Sequence, residues 1–362
     1  MLSCFSLSPT SVLLFSPWMA SLINTTAAPD LNDSWVDLFW SLTTVAVVVF
    51  SLVSLLGVLG NGLVIWVTGF RMKKTVNTVW YLHIAVADFI YAVFLALRAT
   101  SLALQFHWPF GNFMCKLCGT LIILNLYASV YIMVVISVDR CVSVVWPVWA
   151  QNHRNVRSAT YVSLCVWMLA LIVNIQHYFY MDTKKETENT TYCSNIGFFE
   201  KATPTVIQTI VITHFLLGFA VPLTVIVSCY AVIIHRLRRN HSLASQSSRP
   251  FKVITSIIVA FFLCLAPYYI IDLIQLVIFK APNATFHFAF LIVSNVASNL
   301  MVLHCCLNPL LYVFLRQDFK AEVRKSILNV LESALKEEKK HSASDMKWGI
   351  PRLGDRVLIR PA

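Results

Sequence analysis

Charge is what this 362-residue chain has least of. Asp, Glu, Lys and Arg make up 12% of it, hydrophobic residues make up 58%, and the mean hydropathy is +0.71. Soluble domains carry about 25% charge, so the shortage rules out a water-soluble globular enzyme or a solvated binding module. Lys and Arg are missing altogether from residues 1–40. No nucleophile–base constellation, metal-ligand cluster or phosphate-binding loop is present, so no enzyme is expected. Residues 287–314 contain no lysine that could carry retinal, which argues against a light-driven pump, and no internal repeat suggests a transporter. No cysteine follows Cys306, so the C-terminal segment has no palmitoylation site.

What is present is apolar sequence in long runs. Crossing a bilayer takes about 20 residues, and seven stretches qualify: 40–68, 76–103, 113–146, 158–180, 205–235, 252–279 and 287–314. The fold class expected is an all-α membrane protein, a seven-transmembrane helix bundle followed by a short amphipathic eighth helix. Residues 1–39 form an extracellular segment, 40–314 the bundle, 315–335 the amphipathic helix on the inner membrane surface, and 336–362 a cytosolic tail. Phe314, Phe319, Val323, Ile327 and Leu331 recur at helical spacing and define that eighth helix.

The net charge of +11 is unevenly placed. In a seven-span topology 22 of the 28 basic residues fall on one side, which the positive-inside rule makes the cytosol. The N-terminus is then outside, at the plasma membrane. The basic bias reads as topology and attraction to anionic lipid, and nucleic acid is not an expected partner. Glycosylation sequons at Asn24, Asn32, Asn189 and Asn283 all fall on the outer side. Residues 1–18 lack the basic start of a signal peptide, and Met19 is a second candidate start. Cys115, at the outer start of span three, and Cys193, in the outer loop before span five, share an oxidising compartment, so a disulfide is expected.

Polar residues within the spans carry the remaining information. Asn61, Asp88, Ser129 and Asn308 are expected to share one mid-bilayer network, because each needs partners where water is scarce. Asp88 is read either as ionised with a bound cation such as sodium, the favoured reading, or as protonated and neutral. Pro222, Pro267 and Pro309 interrupt spans five, six and seven, where kinks suit a switching protein. On the outer side Arg98, His177, Gln208, His214, Asp272, Gln275 and Asn299 surround an expected cavity with Trp108, Tyr268 and Tyr269 as aromatic walls. Arg98 suits a carboxylate and Asp272 a cation, unless the two pair with each other. Asp139 and Arg140 close span three at the inner surface, where the acid is expected to hold the base. No acid occurs in SQSSRPFK, residues 245–252, to provide a second lock.

Gly-Asn61 of span one, Leu82 to Asp88, Cys115 with Cys193, Asp139-Arg140, Trp167, Pro222 with Tyr230, Pro267 and Asn308-Pro309-x-x-Tyr312 together resemble a rhodopsin-like (class A) G-protein-coupled receptor. The resemblance covers residues 40–335. GFRMKKTVNTVWYLHIAVADF, FHWPFG, ISVDRC, PVWAQNHR and LNPLLYVF look like the chemoattractant branch, that of chemerin, formyl-peptide and resolvin-type receptors. It implies a receptor for a chemoattractant peptide or acidic lipid mediator. It also implies coupling to an inhibitory G protein, with a fall in cyclic AMP and calcium release through phospholipase C, and arrestin as a partner. Arg140 would meet the G protein, Tyr230 and Tyr312 would swing towards it, and Asp88 with Ser129 would hold sodium. Arg98, His214, Tyr268 and Asp272 would contact ligand. Three departures stand out. Leu265 replaces the tryptophan usual before the span-six proline, which suggests a weakly signalling or scavenging, arrestin-biased receptor as an alternative. His304 stands where an asparagine is expected four residues before Asn308. Ile123, Ile210 and His214 replace the acid and two arginines of the formyl-peptide receptors, which weakens that alternative.

Overall fold

The computed structural model describes residues 33–185, 190–194, 202–239, 241–278 and 284–307, with Pro309 and Lys336 as single positions. Asn308, Tyr312, the four sequons, the segment 315–335 and the tail beyond Lys336 lie outside the described residues.

The helices are α1 (Asp33–Trp66), α2 (Val76–Ala103), α3 (Gly111–Val145), α4 (Pro147–His153), α5 (Val156–Tyr180), α6 (Pro204–Phe215), α7 (Val221–Arg239), α8 (His241–Ile278) and α9 (Ala284–Val302). Five spans are long and apolar enough to cross a membrane: α1, α2, α3, α5, and α6 with α7 as one continuous crossing, Pro204–Arg239. Two shorter apolar helical stretches, Ile258–Ile274 and Ile292–Leu307, accompany them, consistent with the seven-helix bundle expected from the sequence. Their surfaces identify the solvent. Ile172 is 68% exposed and Leu263 69%, a cost that water would impose and lipid does not. α3 threads the centre, with 72% of its apolar window buried against 28% for α5 at the edge.

Caps set where helices start. Thr75 and Thr78 form a reciprocal capping box at α2, and the Asn155 side chain accepts from Ser158 N at 2.8 Å at α5. Thr203 caps α6, whose first residue is Pro204. Between α6 and α7 lies a π-helical turn, Leu216–Ala220. Pro222 follows it and has no N–H to donate, and a π-bulge is one way to absorb that loss. Pro267, by contrast, sits inside α8 with the helix continuing on both sides.

Small residues and polar contacts hold the helices together. A Cβ on Gly57 would lie 2.7 Å from that of Ala92, and Ser54 donates to the Ala92 carbonyl at 2.7 Å, so α1 and α2 pack backbone to backbone. Asn174 of α5 donates to the Thr120 carbonyl of α3 at 2.7 Å, and the Trp167 indole of α5 donates to His83 of α2 at 3.2 Å. Such bonds average about 0.6 kcal/mol within membranes, so it is their number that fixes the arrangement.

An antiparallel hairpin follows α5, with β1 (Asp182–Lys185) paired to β2 (Thr191–Ser194) and Thr183 opposite Cys193. It presents Cys193 to Cys115, and the disulfide is formed. The turn before α3 docks on the same hairpin: Trp108 N donates to the Thr191 carbonyl at 2.7 Å, while its indole donates to the Gly111 carbonyl at 2.9 Å. Trp108 is therefore a buried loop clamp and not the cavity wall expected. Gln208 is exposed on α6 and does not face the bundle interior, because the helix rotates it away from buried Ile207 and Ile210.

Candidate functional site

At the end of the bundle opposite the disulfide, the side chains of α2, α3 and α4 meet. The expected Asp139–Arg140 pair does not form. Arg154, the residue that ends α4, donates to both carboxylate oxygens of Asp139, Nε to Oδ1 at 2.8 Å and Nη2 to Oδ2 at 3.0 Å. Adjacent residues on a helix point about 100° apart and do not face each other. α4 begins with a proline and runs only seven residues. It returns Arg154 to α3, where its planar fork matches the carboxylate. Arg140 instead donates through Nη2 to Asn77 Oδ1, at the start of α2. The same amide oxygen accepts from Arg154 Nη2 at 2.6 Å. Tyr81 of α2 and Tyr230 of α7 also lie within electrostatic reach of Arg140. Pro309 packs against Gly60 of α1, where an added Cβ would sit 3.1 Å from the proline ring.

In the middle, Asp88, Ser129, Asn125, His304 and Asn61 are all buried. Ser129 Oγ lies 3.4 Å from Asp88 Oδ1 and 3.4 Å from Asn125 Oδ1. His304 Nε2 is 3.4 Å from Asn125 Nδ2 and 4.0 Å from Asp88 Oδ1, and its ring sits near Tyr91 and Phe261. Its Nδ1 donates to the Met301 carbonyl at 2.5 Å, so Nε2 accepts from the Asn125 amide and turns the amide oxygen towards Ser129. Asn61 turns elsewhere. Its Nδ2 donates to the carbonyls of Gly57 and Cys305, at 3.0 and 2.9 Å, joining α1 to the helical turn 304–307 that follows α9.

On the disulfide side, His214 Nδ1 of α6 is 3.3 Å from Asp272 Oδ2 of α8, with exposures of 3% and 1%. The His214 ring also lies 5.0 Å from Tyr269, 5.7 Å from Tyr127, 6.0 Å from Tyr268 and 6.2 Å from His177. His214 Nε2, both Asp272 oxygens and the hydroxyls of Tyr268 and Tyr269 form no hydrogen bond of good geometry, although Tyr268 stands beside the carboxylate. Arg98 belongs to a different cluster, buried on α2 beside Cys118 and Tyr91. Asp272 is paired with His214, and Arg98 is not its partner.

Asn77 and Asn125 are the functional candidates that the sequence reading missed. Asn125 lies one turn before Ser129 on the same helical face, a spacing that would have found it. Asn77 carries no such signal, because its partners come from two other helices.

The profile for 7 transmembrane receptor (rhodopsin family) matches residues 60–312. Chemerin-like receptor 1 of Homo sapiens is 39% identical over 310 residues, spanning 82% of this chain and 81% of that protein. N-formyl peptide receptor 3 of Homo sapiens is 39% identical over 290 residues, spanning 78% and 82%.

Proposed function

This chain belongs to the rhodopsin family of seven-transmembrane receptors, a family of receptors rather than enzymes, and from that premise we propose that it answers a chemoattractant peptide or acidic lipid by activating an inhibitory G protein. The observation that carries this reading is the polar cluster on the disulfide side. A buried acid and histidine with four tyrosine and histidine rings around them leave hydrogen-bonding atoms unmatched. Buried polar groups are ordinarily satisfied, and a ligand that inserts there supplies partners. At the other end Arg140, half-buried and held through Asn77, is the basic group a G protein meets. The N-terminus faces outside, the charge-rich loops face the cytosol, and the membrane is the plasma membrane. Arrestin is the second cytosolic partner.

The likeness to chemerin-like receptors favours a peptide ligand. Ile123 and Ile210 are both buried apolar residues, so the acid and arginine of a formyl-methionine anchor are missing and the formyl-peptide reading is the weaker one. Asp88 Oδ1, Ser129 Oγ and Asn125 Oδ1 suit a sodium ion. They are hard oxygen donors, and their 3.4 Å separations are long for O–H···O bonds.

A cell-based G-protein dissociation assay against chemerin peptides, formyl peptides and resolvin-type lipids tests the proposal. A response to the first or third, abolished by Arg140→Ala, is expected. Silence with all three at normal surface expression refutes the ligand assignment. Leu265, fully buried at the position where the family resemblance implies tryptophan, favours a second reading as a weakly signalling, scavenging receptor. Ligand uptake without a fall in cyclic AMP would establish it.

A further inference from the structure

The network at the Arg140 end assigns a role that the acid–base pair does not fill. Asp139 has both oxygens committed to Arg154, so it is not the residue that restrains Arg140. Asn77 is, because its single amide oxygen accepts from Arg140 and, at 2.6 Å, from Arg154. We propose that Asn77 is the positioning residue that keeps Arg140 turned to α2 in the resting receptor, with Asp139 and Arg154 forming the clamp that holds the site together. The inference rests on the receptor reading above.

Three features hold Arg140 at Asn77. First, an amide oxygen has two acceptor sites, and both are filled here by guanidinium groups. Hydrogen bonds from a charged donor are about twice as strong as neutral ones, so Asn77 binds Arg140 firmly without carrying charge itself. Second, two guanidinium groups on one oxygen repel each other, and this is tolerable because Asp139 sits on Arg154 and offsets its charge. The side chains of Asp139 and Arg154 are 13% and 27% exposed, dry enough for the offset to act. Third, Asn77 is fixed from behind. It stands in the first turn of α2, enclosed between Thr75 and Thr78 of the capping box, so its backbone has little freedom to follow Arg140 outward. When Arg140 turns towards a cytosolic partner it must leave Asn77, the one hydrogen-bond partner its side chain has among the described residues. Arg140 Nε is buried without a hydrogen bond among the described residues, so Nη2 carries the bond that release must break.

A neutral acceptor also sets the strength of the restraint. A carboxylate at the same place would face two guanidinium groups with full charge and would hold Arg140 harder. Alanine would not hold it at all. The two substitutions therefore act in opposite directions, a pattern that general destabilisation does not produce.

The test measures basal inhibitory G-protein dissociation from the full-length chain in cells, with surface expression matched by labelling the N-terminus. Asn77→Ala is expected to raise the basal signal, up to roughly tenfold for the loss of one charged hydrogen bond. Asn77→Asp is expected to lower it to or below that of the native chain. Asn77→Gln, which keeps the amide on a longer arm, gives an intermediate level. An unchanged or lowered basal signal in Asn77→Ala overturns the proposal, as does a rise of equal size in Asn77→Asp. If Asn77→Ala fails to reach the surface, Asn77→Gln and Asn77→Asp still give the opposed directions. Silence of all variants and of the native chain, in basal and agonist-driven assays alike, overturns the signalling reading itself. An agonist response that is intact while Asn77→Ala leaves the baseline flat overturns only the role of Asn77.

Discussion

His214 and Asp272 meet at 3.3 Å, one on α6 and the other on α8, and each is closed off from solvent. The pair joins the two helices that a ligand between them would have to separate or bridge. Because neither Asp272 oxygen has a hydrogen bond of good geometry and His214 Nε2 has none, the pair is poised to exchange its mutual contact for contacts to a ligand. For the agonist identified in the dissociation assay, Asp272→Asn and His214→Ala should each reduce potency by about tenfold, the loss of one buried hydrogen bond to a charged group. The double variant should lose little more than either, since partners in contact couple. Concentration–response curves at matched expression decide this. Additive losses would show that the two side chains act independently.

The oxygen triangle of Asp88, Ser129 and Asn125 predicts sodium-dependent stability. The full-length chain purified in detergent should unfold at a Tm about 2 °C or more higher in sodium chloride than in choline chloride at equal ionic strength. Ser129→Ala should shrink that difference. Equal Tm values in the two salts would exclude a sodium site here.

Gly218 packs against the Tyr269 hydroxyl so closely that any Cβ would collide with it. Gly218→Ala should destabilise the chain by about 1–3 kcal/mol. Tyr269→Phe in the same background should restore part of the loss, because it removes the nearest atom but leaves a ring carbon 2.9 Å from the Cβ position. Thermal unfolding of the three variants tests the contact, and no recovery in the double variant would assign the loss to the π-helical backbone instead.

The clamp between Arg154 and Asp139 predicts a specific coupling. Asp139→Asn and Arg154→Ala should each cost stability, and a double-mutant cycle should return a coupling of about 1 kcal/mol, modest because the pair is partly exposed. A coupling near zero would mean that the two groups are not joined in solution.

What could be read from sequence here follows from the bilayer. Hydrocarbon imposes long apolar helices and charges a high cost for stray polar groups, so the seven spans, the basic loops and the choice of Asp88, Ser129, His214 and Asp272 as candidates are written locally along the chain. Cys115 and Cys193 could likewise be matched from their positions alone. Partner choice was not legible, because it depends on which faces of separate helices come together. Helix geometry turns Asp139 away from Arg140 and gives it to Arg154, α2 brings Asn77 to both arginines, and the packing of α1 against the turn after α9 takes Asn61 out of the Asp88 cluster and gives it to the Cys305 carbonyl. Local patterning along the chain was enough to name most of the candidate residues, though not Asn77 or Asn125. Which of them meet depends on the packed bundle, since directional hydrogen bonds form between neighbours in space, and residues adjacent along a helix point in different directions.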